Sequence, residues 1–523
     1  MLFLIGFMAA GKTSVGRELA AQTDRRFIDL DDEIEAMGEP VASMVSRDEP
    51  EFRRREAAAL ARVIAQGADI VATGGGAASF GDNLARMRAA GLVVALGVDV
   101  EHARARAVGG GPRPLLADAD ALFAKRAQSY RRAHAIVSTD DRSIAEVVRE
   151  VAAVERAWVA APSRDATLVV LGERTYPIVV DEGWRLGDVL QRATRIALVS
   201  DDHVAAHWGA AAEAAITAGQ AVPPEKLVKL SIAPGEASKS FATYERLCNA
   251  LIERGLDRHS AIVALGGGVV GDLAGFVAAT LFRGIPIVQL PTTIVAMTDA
   301  AIGGKTAVDV PAGKNLVGAF HQPKLVACAL QTLATLPERE RRAGFGELWK
   351  YALLDGGELW SAVDACSAWA REGGDAPGEL RDVIARSVAF KAAIVGRDEL
   401  ERTGHRALLN LGHTIGHAIE TFSGLLHGEA VGLGLIAACR VSAALGLARS
   451  GLETDVVEAL RRTGMLVDLD RYLAPDVLDL VRVDKKRVGD ALRFVVVRDV
   501  GRCELAELAV TELGRILRPT RAP

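Results

Sequence analysis

The chain has 523 residues, half of them apolar and a quarter charged, with a net charge of −5. That length exceeds one ordinary core and predicts about two to four domains. The mild acidity argues against a nucleic-acid partner. Five cysteines, Cys248, Cys328, Cys366, Cys439 and Cys503, form no Cys-x-x-Cys pair. That argues against a disulfide framework or thiolate zinc knot and fits a reducing cytoplasm.

The apolar start, residues 1–5, lacks a basic leader and runs straight into a glycine-rich loop with a lysine. It reads as a first strand and not as a signal peptide. Further strand-like runs at 27–30, 70–72, 93–96 and 135–137 alternate with Ala/Arg/Glu-rich helical segments. This predicts a three-layer α/β domain over 1–157, a parallel sheet with helices on both faces. Residues 158–166 (WVAAPSRDA) read as a linker. A second alternating region, 167–336, offers strands at 168–171, 196–200, 261–265 and 287–290. Residues 261–282 are apolar, but Asp272 and five glycines make them a buried strand–turn–helix and not a membrane span. From 337 to 523 helical patterns dominate, with one β-like stretch at 492–497. The second region is therefore an α/β half followed by a mainly α-helical half.

Gly6-Phe7-Met8-Ala9-Ala10-Gly11-Lys12-Thr13 fits G-x-x-x-x-G-K-[ST] between a strand and a helix, the setting that motif needs. Backbone amides face the phosphates, Lys12 neutralises β/γ oxygens and Thr13 offers a hydroxyl to Mg²⁺. Asp29 and Asp31 close the second strand, where alternation points both carboxylates one way. Arg53, the run Gly74, Gly75 and Gly76, Arg113 in a Gly/Pro-rich loop and Arg131 follow. In this order the motifs resemble shikimate kinase over 1 to about 155. The resemblance implies ATP with Mg²⁺, held by Gly6, Gly11, Lys12, Thr13 and Ser14, with Asp29 assisting the metal and Arg106 stacking on adenine. It implies that Asp31 takes the proton of the substrate hydroxyl. Arg53, Arg131 and the three glycines would grip shikimate, because two parallel guanidinium N–H donors suit a carboxylate. Arg113 would close over the phosphates. Ala9 stands where that family usually has glycine.

In the second region, Gly266-Gly267-Gly268-Val269-Val270-Gly271-Asp272 follows a strand, and a carboxylate so placed can bind a hydroxyl-bearing cofactor. Asp299, Lys305, Lys314 and Asn315 crowd a short glycine-rich stretch and suggest a site for a polyhydroxylated anion. His413 and His417 share a helix face at i,i+4, and spacing alone makes them the metal pair.

Taken with Arg283-Gly284, Pro291-Thr292-Thr293, GELWK around Glu347 and Lys350, NLGHTIGH and LHGE, these motifs resemble 3-dehydroquinate synthase from about 168 to 523. The resemblance moves the metal, zinc or cobalt, to Glu347, His413 and His427, and makes His417 a substrate neighbour. It implies NAD at Asp201, Glu236, Lys239, Gly267, Gly268, Asp272, Thr292, Thr293, Asp299, Lys305 and Lys314, with His203 where the family often has asparagine. Lys305, Asn315, Arg283, His417 and one of Lys485 or Lys486 would hold the phosphate end. Lys350, Lys391, Arg406 and Asn410 would hold the carboxylate and hydroxyls. The implied reaction oxidises and re-reduces 3-deoxy-D-arabino-heptulosonate 7-phosphate, expels phosphate and closes the ring to 3-dehydroquinate. A homodimer through this half is also implied. The rival readings are a metal-dependent polyol dehydrogenase for the second half, and a gluconate-type kinase or an ATP-binding regulatory module for the first.

Overall fold

The structure, a computed structural model, describes residues 1–36, 38–107, 118–218, 223–474, 477 and 491–518. The chain divides into two compact units, 1–178 with 395–397, and 179–394 with 398–523.

The first unit begins with β1 (Leu2–Gly6), α1 (Lys12–Thr23), β2 (Phe27–Asp29), α2 (Leu30–Glu35), α3 (Val41–Arg47) and α4 (Glu49–Gln66). It continues through β3 (Ile70–Ala72), α5 (Asn83–Ala90), β4 (Leu92–Gly97), α6 (Val100–Ala107), α7 (Ala119–Arg131), β5 (Ala135–Ser138) and α8 (Ile144–Ala160). The sheet order is β2-β3-β1-β4-β5 and every pairing is parallel. β1 and β3 are buried throughout, the pattern of strands covered on both faces. The phosphate loop thus leaves the central strand where the strand order reverses, at the carboxyl edge that favours ligands. Ser143 and Glu146 form a capping box that starts α8, and this helix runs to Ala160, into the stretch read as linker. β6 (Thr167–Val169) and β7 (Tyr176–Asp181) pair as an antiparallel hairpin.

One local expectation is corrected. Asp31 is not on the strand with Asp29 but inside α2, so alternation does not relate them. The Asp29 carboxylate accepts the Asp31 N–H at 3.1 Å and caps the helix, which ends β2 two residues early.

The second unit opens with β8 (Ile196–Asp201), α9 (Asp202–Thr217), β9 (Leu227–Ile232), α10 (Phe241–Glu253), β10 (Ala261–Gly266), α11 (Gly268–Thr280) and β11 (Ile287–Pro291). A hairpin of β12 (Lys305–Val310) and β13 (Gly313–Phe320) precedes β14 (Leu325–Ala329). Strands run β14-β11-β10-β8-β9, all parallel. β9, β14 and the hairpin escape the sequence reading. In β13 the cause is visible: Lys314 and Asn315 interrupt a strand that is exposed along most of its length.

The helical half holds α12 (Glu338–Asp355), α13 (Gly357–Ala365), α14 (Ser367–Glu372), α15 (Gly378–Arg397), α16 (His413–Ser423), α17 (His427–Ala444) and α18 (Leu452–Arg462). The hairpin of β15 (Ala491–Asp499) and β16 (Arg502–Ala509) and a last helix, α19 (Val510–Leu517), follow. The stretch expected at 492–497 is therefore one arm of a hairpin.

From Ala343 to Asp355 every residue of α12 is buried, so this helix is not amphipathic there. Its backbone touches α17: a Cβ on Gly346 would lie 2.1 Å from the Gly428 carbonyl oxygen, and one on Gly428 only 1.7 Å from that of Ala343. Only glycine permits this approach, and it sets Glu347 beside His427.

Candidate active sites

In the first unit the phosphate loop is held by its own backbone. Ala9 and Gly11 take left-handed conformations, at φ 59° and 90°, before α1 begins at Lys12. The α1 amides then face the loop, a ready site for anions. Lys12 Nζ donates to the carbonyls of Gly6 and Phe7, both at 3.0 Å. The Thr13 hydroxyl donates to Asp29 Oδ2 at 2.6 Å, which brings together the two groups expected at Mg²⁺. Ser14 is exposed on α1. On α6, Arg106 donates through Nη1 to Thr139 Oγ1 at 3.0 Å. Arg113 lies outside the described residues.

Beside the loop is a pocket of buried charge. Burial, followed by Asp29 and Glu56 as neighbouring negative charges and opposed by Lys12, pushes the Asp31 carboxyl up to about 6. Among the described residues its Oδ1 has no hydrogen-bond partner, and neither has Oε1 of the fully buried Glu56. Glu56 Oε2 accepts from Arg53 Nη1 at 2.8 Å, while Arg53 also reaches Glu49. Gly74 and Gly76 are required by crowding. A Cβ on Gly74 would meet Glu56 Oε1 at 2.3 Å and Asp31 Oδ1 at 3.0 Å, and one on Gly76 would meet Arg53 Cζ at 2.5 Å. At Gly75 the nearest side-chain atom is Arg126 Nη1, at 3.5 Å from that position.

Arg126 is the residue the sequence reading missed. It is buried on α7, and Tyr130, four residues on, donates its hydroxyl to the Gly75 carbonyl at 2.6 Å. Arg131 is half-buried in the last turn of α7. Five residues turn a helix by about 140°, so Arg131 points to another side than Arg126. The i,i+4 spacing of Arg126 and Tyr130 was the available signal.

In the second unit the strand–turn–helix of Gly267 and Gly268 packs closely: a Cβ on Gly267 would lie 3.2 Å from Thr293 Cγ2. Asp272 in α11 is pushed up by burial and pulled down by Lys239, whose Nζ is 2.5 Å away. Lys239 also bonds the Asn315 side chain, and the Asn315 N–H donates to Asp309 at 2.9 Å. Burial likewise raises the Glu236 carboxyl against the pull of Lys239 and Lys314. Asp201, at the end of β8, caps α9 through the Val204 N–H, and His203 is exposed on that first turn. Thr292 is buried with its hydroxyl unpartnered among the described residues, while Thr293 accepts the Ala296 N–H.

A second cluster gathers around Asp299, which sits in a π-helical turn, Ala296–Ala300, a kind of local widening frequent at functional sites. Lys391 Nζ lies 2.6 Å from Asp299 Oδ1, Lys350 Nζ 3.5 Å, and the Tyr351 hydroxyl donates to the same atom at 3.2 Å. Burial, reinforced by Lys350 and Arg406 and opposed by Asp299, brings the Lys391 ammonium down to about 8. Arg406 is buried and donates to the Glu399 carbonyl at 2.8 Å, and Glu401 pairs with both Arg406 and Lys305. Asn410 is exposed at the end of the 3₁₀ turn His405–Asn410. Arg283 is exposed in a left-handed turn and is not among the residues that meet at Asp299 or Glu347. Lys485 and Lys486 lie outside the described residues.

Next to this cluster α12, α16 and α17 converge. Glu347 is fully buried, and its Oε1, which accepts no hydrogen bond among the described residues, lies 3.4 Å from His413 Nε2 and 3.3 Å from His427 Nε2. Lys350 Nζ is 2.5 Å from the other oxygen. Each imidazole is held on its far side, His413 Nδ1 by the Leu411 carbonyl at 3.0 Å and His427 Nδ1 by Glu420 Oε2 at 3.1 Å. An unpartnered buried carboxylate oxygen faced by two oriented imidazole nitrogens fits a divalent metal. His417 is exposed, its ring 5.1 Å from that of His413, and ligand atoms of all three histidines lie within 4.8 Å of one another. The pair singled out by spacing and the Glu347 set thus meet at one place.

These features define a two-centre enzyme, one centre built for nucleotide phosphates and the other joining a glycine-rich turn to a histidine–glutamate metal-type site. The family model of shikimate kinase matches residues 8–155, and those of the N-terminal and C-terminal parts of 3-dehydroquinate synthase match 229–343 and 344–487. The 3-dehydroquinate synthase of Xanthomonas campestris pv. campestris is 45% identical over 350 residues, 64% of this chain and 93% of the relative. That of Caulobacter vibrioides is 44% identical over 350 residues, 64% of this chain and 92% of its own length. Among solved structures, a 2-epi-5-epi-valiolone synthase from Streptomyces hygroscopicus subsp. jinggangensis, with NAD⁺ and Zn²⁺ bound, is 26% identical at a TM-score of 0.59 and covers 65% of this chain and 95% of that one. The chain belongs to the 3-dehydroquinate synthase family and carries ahead of that match a shikimate kinase domain.

Proposed function

We propose that the chain catalyses two steps of the shikimate pathway. Residues 1–157 phosphorylate shikimate from ATP to shikimate 3-phosphate, a phosphotransferase reaction. Residues 167–523 convert 3-deoxy-D-arabino-heptulosonate 7-phosphate to 3-dehydroquinate and phosphate, a phosphorus–oxygen lyase reaction that recycles NAD within the turnover.

In the kinase, Lys12 and the loop amides hold the nucleotide phosphates, and Thr13 with Asp29 holds Mg²⁺. Asp31 takes the proton of the acceptor hydroxyl, a role suited to a carboxyl with pKa near the working pH. Arg53, together with Arg126, meets the shikimate carboxylate over Gly74, Gly75 and Gly76.

In the synthase, Glu347, His413 and His427 hold a divalent metal, and Asp201, Glu236, Lys239, Asp272, Thr292, Thr293 and Lys314 line the dinucleotide. Bound there, the metal would supply Lewis acidity toward substrate oxygens, and NAD would supply a reversible hydride acceptor. Lys350, Lys391 and Arg406 orient the substrate carboxylate and hydroxyls, while Lys305, Asn315 and His417 face the phosphate end. The observation that carries this reading is the burial of Lys350, Lys391 and Arg406 beside Glu347 and Asp299. Three buried cations there face two carboxylates, Glu347 and Asp299, and an acidic, phosphorylated substrate offsets the excess positive charge where a simple polyol does not. No helix among the described residues is long and apolar enough to cross a membrane; a cytoplasmic homodimer is part of the proposal. Exposed Leu316, Val317 and Phe320 on β13 support the dimer.

The test is one preparation and two assays: phosphate release from the heptulosonate phosphate, and ADP formation with shikimate. NADH accumulating with a polyol, without phosphate release, would overturn the synthase reading. Absence of shikimate-dependent ADP formation would overturn the kinase reading.

A further inference from the structure

We propose that Glu420 is a positioning residue for the metal centre, which orients His427 and is itself anchored by Lys314 on β13. The inference rests on the reading of Glu347, His413 and His427 as metal ligands. An imidazole can present Nε2 to a metal only if its ring is held in one rotation and one tautomer, and the group on Nδ1 does both. The two histidines obtain that group differently. His413 uses the carbonyl of Leu411, two residues before it, so the chain itself fixes the ring. His427 starts α17, and its Nδ1 instead faces the Glu420 side chain at 3.1 Å.

A carboxylate there favours a proton on Nδ1 and leaves the Nε2 lone pair aimed at Glu347 Oε1, 3.3 Å away. Glu420 lies seven residues after His413 on α16, two helical turns on and on the same face. One helix thus supplies a ligand and the orienter of another ligand. A side chain is a softer support than a backbone carbonyl, since it has rotamers of its own. Here the second oxygen, Oε1, lies 2.8 Å from Lys314 Nζ, so the carboxylate is gripped at both ends. The chain Lys314–Glu420–His427–Glu347 runs from the β12–β13 hairpin to the core of the helical half. Metal affinity therefore depends on a lysine remote in sequence from every ligand.

The full-length chain, stripped of metal and retitrated with Zn²⁺ in chelator competition and with Co²⁺ by visible absorption, tests this. Glu420→Gln keeps the shape and removes the charge; it is expected to weaken metal binding about 10–100-fold and to alter the Co²⁺ bands. Lys314→Met, at a half-exposed site, is expected to weaken binding in the same direction by a smaller, several-fold factor, and it carries the test if Glu420→Gln does not fold. Glu347→Gln is the reference and is expected to lose the metal. If Glu347→Gln loses metal while Glu420→Gln and Lys314→Met bind it with the unsubstituted affinity and spectrum, the positioning role is refuted and the ligand set stands. If Glu347→Gln also binds normally, the ligand set itself falls, and the inference with it.

Discussion

The two centres handle buried charge in opposite ways. In the second unit almost every buried charge has a partner of the other sign already in place: Lys350 with Glu347 and Asp299, Lys391 with Asp299, Lys239 with Asp272. These groups come from several elements distant in sequence, and each neutralises another. In the first unit Arg53 and Glu56 pair, but Asp31 is left with an unpartnered oxygen and a pKa pushed up to about 6. The synthase cluster is thus built to keep its charges, and the kinase pocket is built to let one go. The first arrangement couples function to stability with the same sign, and the second with opposite sign.

That contrast is most easily broken by removing one charge from each. Lys350→Met leaves Glu347 and Asp299 short of a cation in a dry core. It is expected to destabilise the second unit by about 3–5 kcal/mol, as breaking one partner of a buried pair does, and to abolish phosphate release. Calorimetry on the full chain, with both activities assayed, reads the two together. Asp31→Asn is expected to lower shikimate turnover about 10²–10⁴-fold yet to stabilise the first unit at pH 7 by about 1–3 kcal/mol. The sign follows from the direction of the shift. A carboxyl whose folded pKa is raised, from 3.8 to about 6, makes its charged form unfavourable in the fold. Its cost is present above about pH 6 and fades as pH falls towards 3.8, so the variant's advantage should vanish there. If both substitutions shift stability in the same direction, the comparison fails. In the unsubstituted kinase, kcat/KM with shikimate should fall about tenfold per pH unit below about 6, because the proposed base, Asp31, must be unprotonated to act.

A smaller effect sharpens the kinase side. Arg126→Met should raise the KM for shikimate about a hundredfold, the scale of a lost charge-assisted bidentate contact in a buried site. Arg131→Met should change it by less than about tenfold. Equal effects would return the carboxylate to Arg131.

This pair also shows where legibility ended. The phosphate loop, the glycine runs and NLGHTIGH were legible because their chemistry is contiguous: one strand, one turn and one helix start hold all the parts. The parallel sheets were legible because strands buried on both faces are unbroken apolar runs, as in β1, β4 and β10. What could not be read depends on which face meets which. Arg126 and Arg131 are alike in sequence and differ only in the side of α7 they occupy. Glu420 becomes notable only because α17 begins beside it, and α17 lies there because Gly346 and Gly428 let two backbones touch. Strands such as β13 and β16, exposed and mixed with charge, carry no apolar run to betray them. Alternation alone puts Asp31 on a strand, because it cannot tell an Asx cap at Asp29 from one more strand residue.

The mildest prediction returns to the phosphate loop, at Ala9. Ala9 adopts φ 59°, a left-handed conformation that costs an L-residue about 1–2 kcal/mol and glycine almost nothing. Against that, glycine loses more entropy on folding, by roughly 0.5–1 kcal/mol. The net expectation for Ala9→Gly is a gain of about 0.5–1 kcal/mol in the ordered loop, read as a two- to fivefold lower KM for ATP with synthase activity unchanged. A weaker KM for ATP would mean that the methyl group of Ala9 restricts the empty loop more than it strains the occupied one. The kinase centre would then resemble the synthase centre in being fixed before its ligand arrives.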